Sequence, residues 1–141
     1  MKNINNVVIV IGALIVVAVV VVAYIFSGKN EEVQAGEYDT FAQCLYESGM
    51  RMYGSATCRF CAQQREMFGP SVKYIREIEC DPRNPLSKTE LCIAKNIAYT
   101  PTWILEDKNS NETYRFEPGV QTLEKLSEVS GCPFVKDLLP G

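Results

Sequence analysis

The run from Val7 to Phe26, VVIVIGALIVVAVVVVAYIF, holds 20 residues without a single charge. Nothing polar marks a solvent face, which counts against a buried core helix. At about 1.5 Å per residue, a helix of that length spans roughly 30 Å, the thickness of a bilayer core. In lipid every backbone polar group must be satisfied within the segment, so even a valine-rich run is forced into a helix. A secretory leader has a shorter apolar region, about 7–15 residues. The run therefore reads as a retained single-pass anchor, although VQAG at 33–36 has the small residues of a cleavage site. The expected organisation is an N-terminal transmembrane anchor at 1–27, a polar linker at 28–37 and one domain at 38–141. Lys2 precedes the run and Lys29 follows it with Glu31 and Glu32. The lysines balance and acidic residues count for little, so the α-amino group tips the N-terminus inward. The domain is then expected on the extracytoplasmic side of the cell membrane.

Composition narrows the chemistry. The 141 residues carry a formal net charge of -3, which gives no basic footprint for nucleic acid. There is no histidine. That removes a Cys-His or Ser-His pair, a histidine metal ligand and the commonest pH switch. Six cysteines are heavy usage for this length. Outside the cytosol such a set means disulfides; inside it, zinc or redox work.

The domain reads as alternating helices and strands. YDTFAQCLYESG (38–49) predicts a helix, with Asp39 as N-cap, Gly49 closing it, and Phe41, Cys44 and Leu45 on one face. MRMYGSA (50–56) predicts a strand with Met50, Met52 and Gly54 on one side. CRFCAQQREMF (58–68) predicts a helix ended by Gly69-Pro70. SVKYIREIEC (71–80) alternates as a strand would, through Val72, Tyr74 and Ile78. DPRNP (81–85) is turn chemistry. LSKTELCIAKN (86–96) opens on Ser87 and Glu90 in capping-box spacing, with Leu91, Ala94 and Ile97 as its buried stripe. PTWILED (101–107) and ETYRFEPG (112–119) predict a hairpin about the turn KNSN, with Trp103 in the core. VQTLEKLSEVSG (120–131) predicts a helix buried along Val120, Leu123, Leu126 and Val129.

The order is α-β-α-β-α-β-β-α, with Cys58-x-x-Cys61 opening the helix after the first core strand. Thr100-Pro101-Thr102 stands at the start of the third core strand. A proline at that place is ordinary alone; 40 positions after a C-x-x-C it is a strong signal. This combination resembles the thioredoxin fold, an α/β fold with a mixed central sheet flanked by helices. FAQCLYESGMRMYGSATCRFC, IECD, ELCIAKNIAYTPTW and SGCP go further. They resemble the thioredoxin-like domain attached to bacterial homologues of vitamin K epoxide reductase, over roughly 38–133. One membrane helix is expected in place of the four-helix quinone-reducing domain of that family.

The resemblance implies that Cys58 and Cys61 are redox active, that Pro101 is a cis-proline facing them, and that Cys80 and Cys92 form a structural disulfide. It implies exported protein thiols and disulfides as substrates. It also implies a membrane redox partner resembling vitamin K epoxide reductase, and no cofactor or metal. This chain departs from the family in having Thr57 before the pair, Arg59-Phe60 within it, and Met52 where ordinary thioredoxins keep a buried acid. Redox potential and substrate preference are therefore not carried over.

The chemistry wants these residue types in this order. A thiolate is the attacking species, and a free cysteine near pKa 8.5 is mostly protonated at neutral pH. Cys58 at the first turn of a helix meets unpaired N–H groups and the positive end of the dipole. Arg59 adds positive charge and is expected to lower Cys58 further. Cys61, one turn in, is placed to attack the mixed disulfide formed at Cys58. Thr100 and Pro101 are expected to hold substrate, Thr100 by pairing its backbone with an added strand. Phe60 reads either as an apolar contact beside the pair or as core.

Other readings use the same sulfurs. Cys58, Cys61, Cys80 and Cys92 are the four a zinc site would take, but a zinc ribbon has two C-x-x-C knuckles and this chain has one. A Cys58–Cys61 bond serving only as a staple closes too small a loop to stabilise much. Cys44 and Cys132 remain as a second disulfide or a second exchange pair; six cysteines allow 15 complete pairings and the sequence selects none. Asn111-Glu112-Thr113 is a glycosylation sequon at the hairpin turn. The expected protein forms or isomerises disulfides in exported proteins. Its alternatives are a reductase of exported thiols and a redox-inert or zinc-binding tethered module.

Overall fold

A computed structural model describes the backbone over residues 2–26 and 36–134, and side chains over 8–23 and 36–134. Residues 27–35, which carry most of the expected linker, and 135–141 lie outside the described residues. The chain divides into two units, Met1–Val33 and Gln34–Gly141.

The described residues of the first unit form one helix, α1, Lys2–Phe26. Every described side chain in it, from 8 to 23, is exposed. Among the described residues no helix is long and apolar enough to cross a membrane.

The second unit holds helix α2 (Asp39–Ser48), strand β1 (Met50–Gly54), helix α3 (Arg59–Phe68), a 3-10 helix (Gly69–Tyr74) and strand β2 (Glu77–Glu79). Helix α4 (Thr89–Ala94), strands β3 (Thr102–Glu106) and β4 (Glu112–Arg115) and helix α5 (Leu123–Ser130) complete it. The strands lie in the order β2-β1-β3-β4. β1 and β2 run parallel across the α3 crossover, whereas β3 is antiparallel to β1 and β4 to β3. A mixed four-stranded sheet flanked by helices is compatible with a thioredoxin-like fold.

Both sheet faces are covered. Met50 and Met52 point into the larger core, with Phe41, Leu45, Phe68, Trp103, Phe116, Leu123 and Leu126. Tyr53 points the other way, into a smaller cluster with Ile78, Cys92 and Ile104. Its hydroxyl donates to Glu106 Oε1 at 2.7 Å, so the one polar tip it buries is paired.

Gln64 ties the helix layer to the sheet. It is wholly buried on α3. Its Oε1 accepts from Trp103 Nε1 at 3.1 Å and from the Gln121 backbone at 2.7 Å, and its Nε2 donates to the Gln121 carbonyl at 3.1 Å. Gln64→Leu keeps the volume but strands the buried Trp103 N–H and two part-buried backbone groups of Gln121. We expect it to cost roughly 2–4 kcal/mol in urea unfolding, from the penalty of unsatisfied groups; a loss below 1 kcal/mol would mean that solvent replaces the amide.

Several expectations are corrected here. The alternating run 71–80 is not one strand. Pro70 occupies the first turn of a 3-10 helix that continues to Tyr74, and only Glu77–Glu79 pair with β1. Proline's fixed φ suits that turn, and buried Ser71 accepts from the Tyr38 N–H at 3.0 Å, which fastens it under α2. Val72 and Tyr74 still pack on the core, from the turn. Asp39 is the first helical residue of α2, the cap being Tyr38, while Gly49 closes the helix at φ 95°. The helix predicted over 86–96 shrinks to Thr89–Ala94. Ser87 does not cap it: the Ser87 hydroxyl donates to the Glu79 carbonyl instead. Leu91 and Ala94 are exposed, and Cys92 is the buried residue. The bond from Cys92 to Cys80 turns that face of α4 to the sheet, overriding the apolar stripe. β4 ends at Arg115, and α5 begins at Leu123 behind a Thr122 cap that accepts from the Lys125 N–H.

Candidate active site

The site is built where β1 gives way to α3. Cys58 is the N-cap of α3, in extended conformation, and its sulfur accepts from the Cys61 N–H at 3.2 Å. Cys61, one turn on, is wholly buried. Both are free thiols. The loop leading in is clamped to the end of β2. The Ala56 N–H donates to Glu79 Oε2 at 2.7 Å and the Thr57 hydroxyl to Asp81 Oδ2 at 3.0 Å.

The third wall is the segment before β3. The Thr100–Pro101 bond is cis. Cys58 Sγ lies 3.4 Å from the Thr100 carbonyl, so the exposed end of the thiol pair meets the chain at the cis bond. Phe60 and Tyr99, 57% and 71% exposed, flank that point with Thr100, Pro118 and Val120 around an apolar groove. Of the two readings of Phe60, the structure has the exposed one.

The two thiols have opposite environments. Partial burial pulls Cys58 up, but hydrogen bonds from the Cys61 thiol, from the Thr100 side chain and from the N–H groups of Cys61 and Phe60 outweigh it, and Cys58 falls below the ordinary thiol value. Burial pushes Cys61 well up, and its hydrogen bond to Cys58 pushes it further. Arg59 is exposed on the outer face of the first turn. The hydrogen bonds to Cys58, not the Arg59 charge assigned to this task from the sequence, are the principal groups that lower it. Alkylation of Cys58 should therefore reach half its limiting rate at a lower pH than that of a free thiol, with Cys61 reacting only in more alkaline solution. A Cys58 profile matching that of a free thiol would contradict the geometry. The sign of the linkage follows. The stabilisation of the reduced fold by ionised Cys58 is complete above the unfolded thiol pKa. It is lost as pH falls through the lower folded value.

The remaining cysteines are bonded in pairs. Cys80 and Cys92, 12 positions apart, tie the end of β2 to α4. Cys44 and Cys132, 88 apart, tie α2 to the end of α5. The first bond takes two of the four sulfurs a zinc site would need. Among the described residues no group of three or more histidine, cysteine, aspartate or glutamate side chains is placed to hold a metal ion.

No protein-family model matches the chain. It is 33% identical over 94 residues to a protein of Arabidopsis thaliana named thiol-disulfide oxidoreductase LTO1. The match covers 64% of this chain and 23% of that protein, so the chain spans about a quarter of the length of the curated relative it matches.

The sequence reading missed Tyr99 at this site. Tyr99 stands beside the marked Thr100 but carries no pattern.

Proposed function

We propose that this chain is a thiol–disulfide oxidoreductase of thioredoxin-like fold, which forms or isomerises disulfides in exported proteins through Cys58 and Cys61. One observation carries the reading: a Cys58 thiol held below the ordinary value at a helix N-terminus, over a buried Cys61 held above it. The first is a nucleophile and the second a resolving group. A cysteine pair kept as a staple has no need of that asymmetry. The relative's name, thiol-disulfide oxidoreductase, agrees with this chemistry.

Substrate would lie as an extended segment along Thr100, its apolar side chains on Phe60 and Tyr99. The 20-residue apolar run Val7–Phe26 supports a single-pass membrane anchor, and the two disulfides support an extracytoplasmic side for the domain. A membrane partner resembling vitamin K epoxide reductase would then reoxidise the Cys58–Cys61 pair. Lowering a nucleophile's pKa stabilises the dithiol and makes the disulfide the better oxidant, which favours oxidation or isomerisation over reduction.

Incubating the oxidised full chain with a reduced, unfolded secretory protein tests the activity. Disulfides should appear in the substrate as thiols appear at Cys58 and Cys61, one pair for one pair. No transfer would overturn the proposal. Labelling of Cys58 in intact cells by a membrane-impermeant maleimide tests the sidedness, and protection until the cells are broken would overturn it.

A further inference from the structure

Gly54 ends β1 directly behind the buried thiol. A Cβ placed on it would lie 2.5 Å from Glu77 Oε1 and 3.4 Å from Cys61 Sγ. The carboxylate and the thiol therefore both lie within contact distance of the one spot that the missing Gly54 side chain leaves open. Glu77 reaches that gap from β2, its Oε1 accepting from Arg65 Nη1 of α3 at 2.7 Å. Resolution at Cys61 requires its proton to leave, and the thiol sits in a wholly buried position. Glu77 is only partly covered. It lines an open cleft with Arg65, Arg76, Glu79 and Lys88, so it touches both the interior and solvent.

We propose that Glu77 takes and returns the Cys61 proton during disulfide exchange, with Arg65 as the residue that positions it. The proposal deepens the oxidoreductase reading and rests on it. When the reduced chain meets a disulfide, Cys58 attacks first and forms the mixed disulfide, releasing one thiolate. The Cys61 S–H bond then breaks, its proton passing to the Glu77 carboxylate directly or through one solvent molecule. The Cys61 sulfur bonds to Cys58 Sγ. The Cys58–substrate bond breaks, and its electron pair leaves with the second thiolate. The pair is oxidised by two electrons, the substrate disulfide is reduced, and Glu77 passes its proton to solvent through the cleft. In the reverse direction Glu77 protonates Cys61 as it departs.

The groups facing Glu77 set its affinity for that proton. Burial raises it, the Arg65 charge and hydrogen bond oppose burial, and neighbouring Glu79 raises it again; the net lies above an ordinary glutamate. Cys61 reaches the same spot beside Gly54 from α3, and Arg76 and Lys88 line the cleft. β1 contributes only Met52 and Gly54 at this register, neither of which titrates. A carboxyl raised toward neutrality is better matched to accept a thiol proton at neutral pH than one that stays fully ionised.

The reduced full chain is mixed in stopped flow with an aromatic disulfide, dithiobis(nitrobenzoate). Two chromophoric thiolates are released, the first by Cys58 and the second by Cys61. Glu77→Gln should leave the first phase within twofold of wild type and slow the second at least tenfold at pH 7. That difference should vanish at alkaline pH, where Cys61 ionises unaided. Arg65→Gln should move the pH midpoint of the second phase upward, since the carboxylate loses its cation. A second phase slowed less than tenfold, or both phases slowed alike, would overturn the assignment. An unmoved Arg65→Gln midpoint would do the same. A wild-type chain that releases no second thiolate would remove the oxidoreductase reading itself, and this inference with it.

Discussion

Cys61→Ser is expected to turn the protein from a catalyst into a trap. Cys58 keeps its place at the cap of α3, its hydrogen bond from the residue 61 N–H and its neighbour Thr100. It should still attack substrate disulfides at near the wild-type rate. The mixed disulfide then has no resolving thiol one turn away, and the other cysteines are bonded to one another. Turnover should stop after a single event, and substrate should remain on Cys58 until an external thiol is added. Cys58→Ser should abolish both attack and turnover, because buried Cys61 is neither reachable nor ionised. Non-reducing gels of each variant with a disulfide-bonded substrate check the pair. A Cys61→Ser chain that continues to turn over, or a Cys58→Ser chain that forms adducts, would reverse the assigned roles.

Removing the Cys44–Cys132 bond should have the largest effect on stability. It closes 88 positions of chain, and in the chain-entropy model a loop of that size contributes about 4–5 kcal/mol. The bond also lies in packed surroundings. Cys132 belongs to the larger core, and Cys44 packs against it between α2 and the end of α5. The paired change Cys44→Ser with Cys132→Ser should lower the unfolding free energy by about that amount. Against a typical total of roughly 5–15 kcal/mol, the domain would be left marginal. Opening Cys80–Cys92, with 12 positions enclosed, should cost only about 3 kcal/mol on the same model. Urea unfolding of both double variants gives the order; equal losses, or a loss under 1 kcal/mol for Cys44–Cys132, would contradict it.

Much of this site is readable in the chain itself. Cys58-x-x-Cys61 follows an apolar strand and opens a polar helix, and those local patterns are strong enough to fix where the thiols stand. Gly49 and Gly131 mark helix ends because both adopt the left-handed backbone that glycine tolerates. The reading failed where tertiary bonds outrank periodicity. Val72 and Tyr74 alternate like strand residues, yet Gly69-Pro70 starts a 3-10 turn that buried Ser71 anchors to α2. Leu91 and Ala94 look like a core stripe, yet the covalent bond at Cys92 decides which side of α4 faces inward. The charge on Arg59 was the visible candidate for lowering Cys58. The hydrogen bonds from Cys61, Thr100 and Phe60 do more, and no sequence pattern displays them. Glu77 was read as one of the charges between strand positions. Only the parallel pairing of β1 with β2 carries it to the gap beside Gly54 and Cys61.

The most direct measurement is the equilibrium between the full chain and a glutathione redox series, following the Cys58–Cys61 pair alone. The account predicts full exchange with a reduction potential near -120 to -200 mV, the range of proteins that oxidise or isomerise disulfides. A value near -270 mV would make the protein a reductase, and a pair that does not exchange at all would contradict the central claim.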